Sequence, residues 1–384
     1  MRVRWLLPPG IEDLLPPQAQ ALEQARRQLL ELFSSWGYRL VMPPLVEYAD
    51  ALLTGTGVDL AQQTLQVTDP VSGRLLAIRA DITPQVARID ARDSDPAPAR
   101  LCYLGSVVTA QDPALGAGRN PMQVGAELYG HAGLQSDVEV LRLLLAALRV
   151  TGHDSVHVDL GHVGIFGALS HAAGLDAEAE HTLFELLQRK ACADIAQFVA
   201  GLGLPTAVGE WFVRLPECFG PIDRLPALRA MLQGVPEPVS AALDELAAIA
   251  EELLRFEPGL PLYVDLAELR GYHYHTGLVF AAYGTGYGQA MAWGGRYDGV
   301  GRAFGRSRPA TGFSADLKRL LGTPAPQPLP VLAPWSSDGA LTKLVDRLRA
   351  DGHSVIYELP GSVCGPVAAR IVRVDGDWQL QDAG

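Results

Sequence analysis

The spacing of the strand-like segments most restricts the fold of this 384-residue chain. Segments rich in Val, Leu, Tyr and Phe run over 75–81, 101–109, 122–129, 155–160, 262–266, 277–283 and 311–315, bounded by turn residues as strands are. Their intervals are too irregular for a doubly wound series of strand–helix–strand units. Helix-period runs at 138–148 and 315–321 supply covers for an antiparallel sheet, so the expected class is α+β. Leu22, Ala25, Leu29, Leu32, Phe33 and Trp36 recur at helical spacing, and Gly37 stands where a C-cap would end that opening helix.

From 166 to 258 the pattern turns to almost continuous helix, rich in Ala, Leu and Glu, which predicts a helical insertion into a body made of 1–165 and 259–322. The proline-dense run Thr323 to Pro330 reads as a linker to a short α/β tail over 323–384, ordered strand, helix, strand and a hairpin turning at Asp375-Gly376. With 48% hydrophobic residues the chain can build a sizeable core. Its 31 Lys and Arg against 43 Asp and Glu give a net charge of -12. That field repels phosphate backbones, so tRNA and other nucleic acids are disfavoured partners. Cys102, Cys192, Cys218 and Cys364 form no Cys-x-x-Cys pair and accompany no zinc-like His spacing, which points to reduced thiols and no metal. Prolines interrupt the N-terminal MRVRWLLPPG, and no apolar run approaches the roughly 20 residues a bilayer needs. The expectation is a cytoplasmic protein without a membrane partner.

Four segments could carry chemistry. In LLAIRADITPQVAR, alternation puts Arg79, Asp81 and Thr83 on one face, and Thr83-Pro84 has the form of an N-cap followed by proline at the first helical position. Capping alone explains Asp81 and Thr83, and capping is compatible with binding. In PMQVGAELYG, Gln123, Gly125 and Glu127 share a face, Val124 and Leu128 take the core side, and Gly125 leaves room for a ligand. Asp81 and Glu127 could receive an ammonium group with Gln123 orienting it; a solvated face of an ordinary strand explains the pair as well. ELRGYHYHTGLVF gathers Arg270, Tyr272, His273, Tyr274 and His275 around a glycine turn. Arg270 could pair with a carboxylate, and the rings could stack on or hydrogen-bond to a ligand ring. Two histidines one residue apart without a third ligand do not make a metal site. WGGRYDG, Trp293 to Gly299, reads either as a tight hairpin turn or as backbone that a ligand approaches closely.

In order, GIEDLLP, Arg79-Ala-Asp81-Ile-Thr83, Gln123 with Glu127, LRGYHYHTG, GGRYDG and GFSADLKRL resemble the catalytic domain of histidyl-tRNA synthetase, a class II synthetase, from Pro9 to about Leu321. The resemblance implies that Asp81, Thr83, Gln123 and Glu127 bind the histidine amino group. It further implies that Arg270 lies beside the carboxylate, with Tyr274 and His275 at the ring. The departures are as specific. Thr109 stands where an active synthetase has the arginine that clamps the ATP α-phosphate, and loss of one such donor costs roughly 10² to 10³ in rate. Arg119-Asn120-Pro121 replaces Arg-Glu-Phe, and His273 and His275 replace an Asp and a Tyr. Arg119 and Arg319 remain as residual nucleotide-site residues.

RADITPQVARID and ELRGYHYHTGLVFAAYG are usual forms in a paralogous family, the regulatory subunits of ATP phosphoribosyltransferase, which lack a full anticodon-binding domain. That resemblance implies a noncatalytic, cofactor-free subunit that dimerises within a hetero-oligomer, commonly a hetero-octamer, with the short-form catalytic ATP phosphoribosyltransferase. It implies histidine as feedback effector of the first step of histidine biosynthesis. The alternative is an active histidine-activating ligase, which Arg319 favours and Thr109 opposes.

Overall fold

A computed structural model describes residues 6–382 except 56, 94, 112–117, 273, 287 and 323–326; His273 and part of the proline-rich linker therefore lie outside the described residues. The chain divides into two compact units, one of residues 1–15 and 19–322, the other of 16–18 and 323–384.

In the larger unit, nine strands form one sheet in the order Arg39–Leu40, Ala99–Ser106, Met122–Tyr129, Ala310–Asp316, Ala292–Arg296, Leu278–Gly284, Val156–His162, Leu262–Asp265 and Phe219–Pro221. Neighbours are antiparallel except the first pair and the pair Val156–His162 with Leu262–Asp265. The class is α+β. One face is apolar: Val124, Ala126, Leu128, Phe280, Ala282, Phe313 and Ala315 project from it into a buried cluster. Helix Leu134–Val150 covers that face, burying Val138, Leu141, Leu144, Leu145 and Leu148 at steps of three and four residues, the stripe a packed helix needs. Helix Gln18–Ser35 adds Leu22, Ala25, Leu29 and Phe33. It stops at Gly37, whose φ of 82° is open to glycine, and the Tyr38 N–H closes the end on the Phe33 carbonyl at 2.9 Å, as in a Schellman cap.

The helical segment is less separate than its composition predicts. Helix Glu237–Phe256 and its neighbours bury Leu183, Phe212, Leu246 and Leu253 in the same cluster as the sheet. Phe219–Pro221, inside this segment, pairs with Leu262–Asp265 as the outer strand of the main sheet. Leu75–Ile78, in contrast, does not join that sheet. It is the middle strand of a small sheet with Val46–Tyr48 and Leu65–Thr68.

The smaller unit has a four-stranded sheet, in the order Val355–Tyr357, Val331–Ala333, Ala369–Val374, Asp377–Asp382. Helix Gly339–Ala350 packs Leu341, Val345 and Leu348 with Val331, Ala333, Val355, Ala369 and Ile371. Asp338 caps it by accepting from the Ala340 N–H at 2.8 Å. The last hairpin turns at Asp375 and Gly376, with φ of 51° and 95°, the backbone a primed two-residue turn requires.

Candidate functional site

The face of the main sheet opposite the core holds the site, and a row of glycines shapes it. Gly161, Val279, Gly295, Gly312 and Glu127 lie opposite one another across successive strands, so all five share that face. A Cβ on Gly161 would come 2.6 Å from the Glu268 Cβ, and one on Gly295 would come 2.9 Å from the His275 ring. One on Gly312 would overlap Glu127 Oε2. The row is thus a trough against which Glu268 and His275, from the segment between Leu262–Asp265 and Leu278–Gly284, and the Glu127 carboxylate pack. WGGRYDG is accordingly not a hairpin turn: Ala292–Arg296 is an interior strand whose glycines serve close approach. Behind it Arg296 is buried and ion-paired with Asp137 at 2.7 Å, and its carbonyl accepts from the Thr276 N–H at 2.8 Å. This fixes the returning end of the segment.

Glu127 is 1% exposed. Its Oε1 accepts from the Tyr103 hydroxyl at 3.1 Å and from Thr83 Oγ1 at 3.4 Å, and its Oε2 accepts from the Tyr297 hydroxyl. Burial pushes its pKa up to about 8, against the pull of these donors. A carboxyl so placed is held largely protonated near neutrality.

Asp81 and Gln123 brace the neighbouring wall. Asp81 Oδ1 accepts from the Thr83 N–H at 3.0 Å and from Gln123 Nε2 at 2.7 Å, while Gln123 Oε1 accepts from the Ile82 N–H at 2.9 Å. The expected cap is reassigned. Helix Thr83–Arg92 has Ile82 as its N-cap, in helical backbone; the Asp81 side chain takes the Thr83 N–H, and the Thr83 hydroxyl is left to face Tyr103 and Glu127. Both ends of the Gln123 amide are spent on the wall, which makes it a positioning group. Gly125 does not open space for a ligand either, because a Cβ there would overlap the Tyr103 hydroxyl and the Phe313 carbonyl. Arg79 points away, donating to the Ser106 and Pro43 carbonyls at 2.9 and 2.7 Å.

Tyr274 and His275 form the opposite wall, their rings 4.2 Å apart. Gly271, at φ 68°, makes the turn that brings them there, and its carbonyl accepts from both their N–H groups. Desolvation lowers the His275 pKa to about 4, so the ring is neutral. Its Nδ1 sits 3.3 Å from the Arg270 carbonyl; a neutral ring carries its proton there, which leaves Nε2 as an acceptor.

Two connected spaces result. An inner pocket of about 40 Å³ is lined by Asp81, Thr83, Glu127, Tyr274, His275 and Tyr297, among others. It shares Asp81, Thr83, Tyr274, Trp293, Tyr297 and Ser314 with an outer cleft of about 390 Å³ whose walls also include Gln123, Thr109, Asp316 and Arg319. Arg270, expected at the carboxylate, lines neither. It donates to the Tyr283 hydroxyl at 2.6 Å and pairs with Glu268 at 3.2 Å on the exposed side of the segment. Arg119 is likewise occupied, holding the Thr109 carbonyl at 2.9 Å and the Pro9 carbonyl at 3.3 Å. Sequence reasoning missed Tyr103, and it placed Trp293 and Tyr297 within the WGGRYDG motif without giving either side chain a role. Tyr103 and Tyr297 are buried and read as core until the register sets them around Glu127. Among the described residues no group of three or more His, Cys, Asp or Glu side chains gathers as a metal site, and no helix is long and apolar enough to cross a membrane.

The fold is of the class II synthetase type. The family model described as histidyl-tRNA synthetase matches residues 10–320, and one described as ATP phosphoribosyltransferase subunit HisZ C-terminal domain matches 328–381. The ATP phosphoribosyltransferase regulatory subunit of Thioalkalivibrio sulfidiphilus is 53% identical, over 99% of this chain and 98% of the relative. That of Alkalilimnicola ehrlichii is 52% identical, over 97% and 96%. The crystal structure of an ATP phosphoribosyltransferase regulatory subunit/histidyl-tRNA synthetase from Bacillus halodurans superposes with a TM-score of 0.85 at 27% identity, over 95% of each chain. Histidyl-tRNA synthetase from Nostoc sp. PCC 7120, at 17% identity and a TM-score of 0.78 over 97% of this chain and 92% of that one, shares the fold. The chain belongs to the family of ATP phosphoribosyltransferase regulatory subunits.

Proposed function

We propose that this chain is the noncatalytic regulatory subunit of an ATP phosphoribosyltransferase, acting in the cytoplasm at the first step of histidine biosynthesis. On this reading it dimerises within a hetero-oligomer, a hetero-octamer with the short-form catalytic subunit, and binds no tRNA. Histidine enters the pocket as feedback effector, its ammonium at Glu127, Asp81 and Thr83 and its ring against Tyr274 and His275.

One observation carries the reading. The acidic pocket suited to an amino-acid ammonium is fully built, whereas Arg319 is the one Lys or Arg among the described residues lining the cleft. Recognition is retained without the several cations that a triphosphate requires. Feedback is then a coupling free energy: if histidine disfavours the active complex, that complex must weaken histidine binding by the same factor. Two measurements on the purified chain test this. Calorimetry should detect histidine binding that Glu127→Gln abolishes, and histidine-dependent exchange of pyrophosphate into ATP should stay at background. Exchange above background would instead establish the ligase alternative that Arg319 favours.

A further inference from the structure

The turn that carries Tyr274 and His275 is tied together by its own backbone. The Tyr272 N–H bonds to the Leu269 carbonyl at 3.0 Å, and the Tyr274 and His275 N–H groups bond to the Gly271 carbonyl at 2.9 and 2.8 Å. Its returning end is fixed by the Thr276 N–H on the Arg296 carbonyl. A ligand that draws in Tyr274 and His275 therefore displaces the other end of the turn, where Tyr272 stands.

Tyr272 lines neither space of the pocket and projects into the helical segment instead. Its ring packs against Phe166 and Phe184 at 5.3 and 5.5 Å, and its hydroxyl donates to Glu180 Oε1 at 2.6 Å. Glu180 and Phe184 belong to helix Ala177–Gln188. Helix Gly164–Ala173 makes room for the hydroxyl, since a Cβ on Gly167 would approach it to 3.2 Å. Just past the end of helix Ala177–Gln188, Lys190 pairs with Asp265 at 2.6 Å, at the start of the segment that carries the turn. The helix thus grips that segment at two points. The grip at Glu180 is a charge-assisted hydrogen bond, which has to break or shift when the turn moves.

Resting on the reading of the pocket as a histidine site, we infer that Tyr272 couples the pocket to the helical segment, so that histidine held by Tyr274 and His275 is felt at helix Ala177–Gln188 through the Tyr272–Glu180 bond. A ligand on the turn opposes its opening, and the turn in its place opposes local opening of the helix. The affinity for histidine is set by the closed state, so cutting the bond removes the coupling and spares the binding.

Hydrogen exchange of the amides of helix Ala177–Gln188, with and without saturating L-histidine, reads this on the purified chain. In the parent chain histidine should slow exchange there about 10-fold, the lower end for a hydrogen bond to a charged group. Tyr272→Phe keeps the ring and deletes the donor, and Glu180→Ala deletes the acceptor. In both variants the slowing should fall to within about 2-fold, with histidine affinity by calorimetry within about 3-fold of the parent. Thermal melts establish that each variant is folded. Slowing that is absent from the parent, or equal in parent and variants, overturns the coupling while leaving the pocket reading intact. Histidine affinity lost in step with the slowing makes Tyr272 a support of the pocket alone and overturns it likewise. A folded parent chain that binds no histidine removes both.

Discussion

The effect on stability of replacing Glu127 by Gln should become steadily more favourable as pH rises. Glu127 has its pKa pushed from the ordinary 4.5 to about 8 by burial. Its native-state value lies above its unfolded value, so the native state binds the extra proton. Stability from this group is fully present below about 4.5 and is lost as pH rises toward 8, after which the loss is complete. At about 1.4 kcal/mol for each pH unit between the two values, ionised Glu127 costs the folded state roughly 5 kcal/mol at pH 9. Gln cannot ionise. It also loses acceptor capacity toward Tyr103, Thr83 and Tyr297, a pH-independent cost of about 1–2 kcal/mol. The cleanest quantity is therefore the pH trend. Between about pH 5.5 and pH 9 the stability difference, variant minus parent, should grow by about 3 kcal/mol, read from urea denaturation at each pH. A difference that stays constant across that range would refute the account of Glu127 as a buried acid held protonated by desolvation.

Other outcomes follow from the same geometry. Histidine binding should release a proton near pH 7, because the incoming ammonium favours ionised Glu127; calorimetry in buffers of different ionisation enthalpy measures it. Tyr297→Phe removes the donor to Glu127 Oε2, raising the Glu127 pKa further and weakening histidine about 10-fold by the worth of a charge-assisted hydrogen bond, which a binding titration would detect. Gly312→Ala places a methyl group on the Glu127 carboxylate; it should cost about 1–3 kcal/mol in urea melts and abolish binding. Arg270→Ala should leave histidine affinity within about 2-fold, because the side chain faces Tyr283 and Glu268 and an exposed pair contributes little.

Strand alternation made much of the site legible. Spacing alone put Gln123 and Glu127 on one face and Val124 and Leu128 on the other, and the structure has them so. What alternation does not reveal is register. Tyr103 stands opposite Gly125 only once Ala99–Ser106 pairs with Met122–Tyr129, and nothing local marks it or Tyr297 as a carboxylate partner. Thr83 was a plausible cap by residue type, yet capping is decided by the backbone at Ile82, with φ of -89° and ψ of -27°. Arg270 is misplaced by residue counting because the positive φ at Gly271 turns the chain, sending Tyr274 and His275 to the pocket and Arg270 to the outside. Composition rich in Ala, Leu and Glu predicts helix between 166 and 258, and the segment is largely helical apart from Phe219–Pro221, but composition carries no information on whether these helices build their own core or extend the existing one.

On the proposed reading, this chain controls a catalytic partner through the pocket around Glu127. The most direct test is reconstitution with a short-form ATP phosphoribosyltransferase, measuring formation of phosphoribosyl-ATP from ATP and phosphoribosyl pyrophosphate with and without this chain, and with histidine titrated. The account predicts that the chain is required for full activity, that histidine inhibits the complex, and that Glu127→Gln preserves activation while removing the inhibition. Full activity of the catalytic chain alone, or undiminished histidine inhibition with Glu127→Gln, would contradict it.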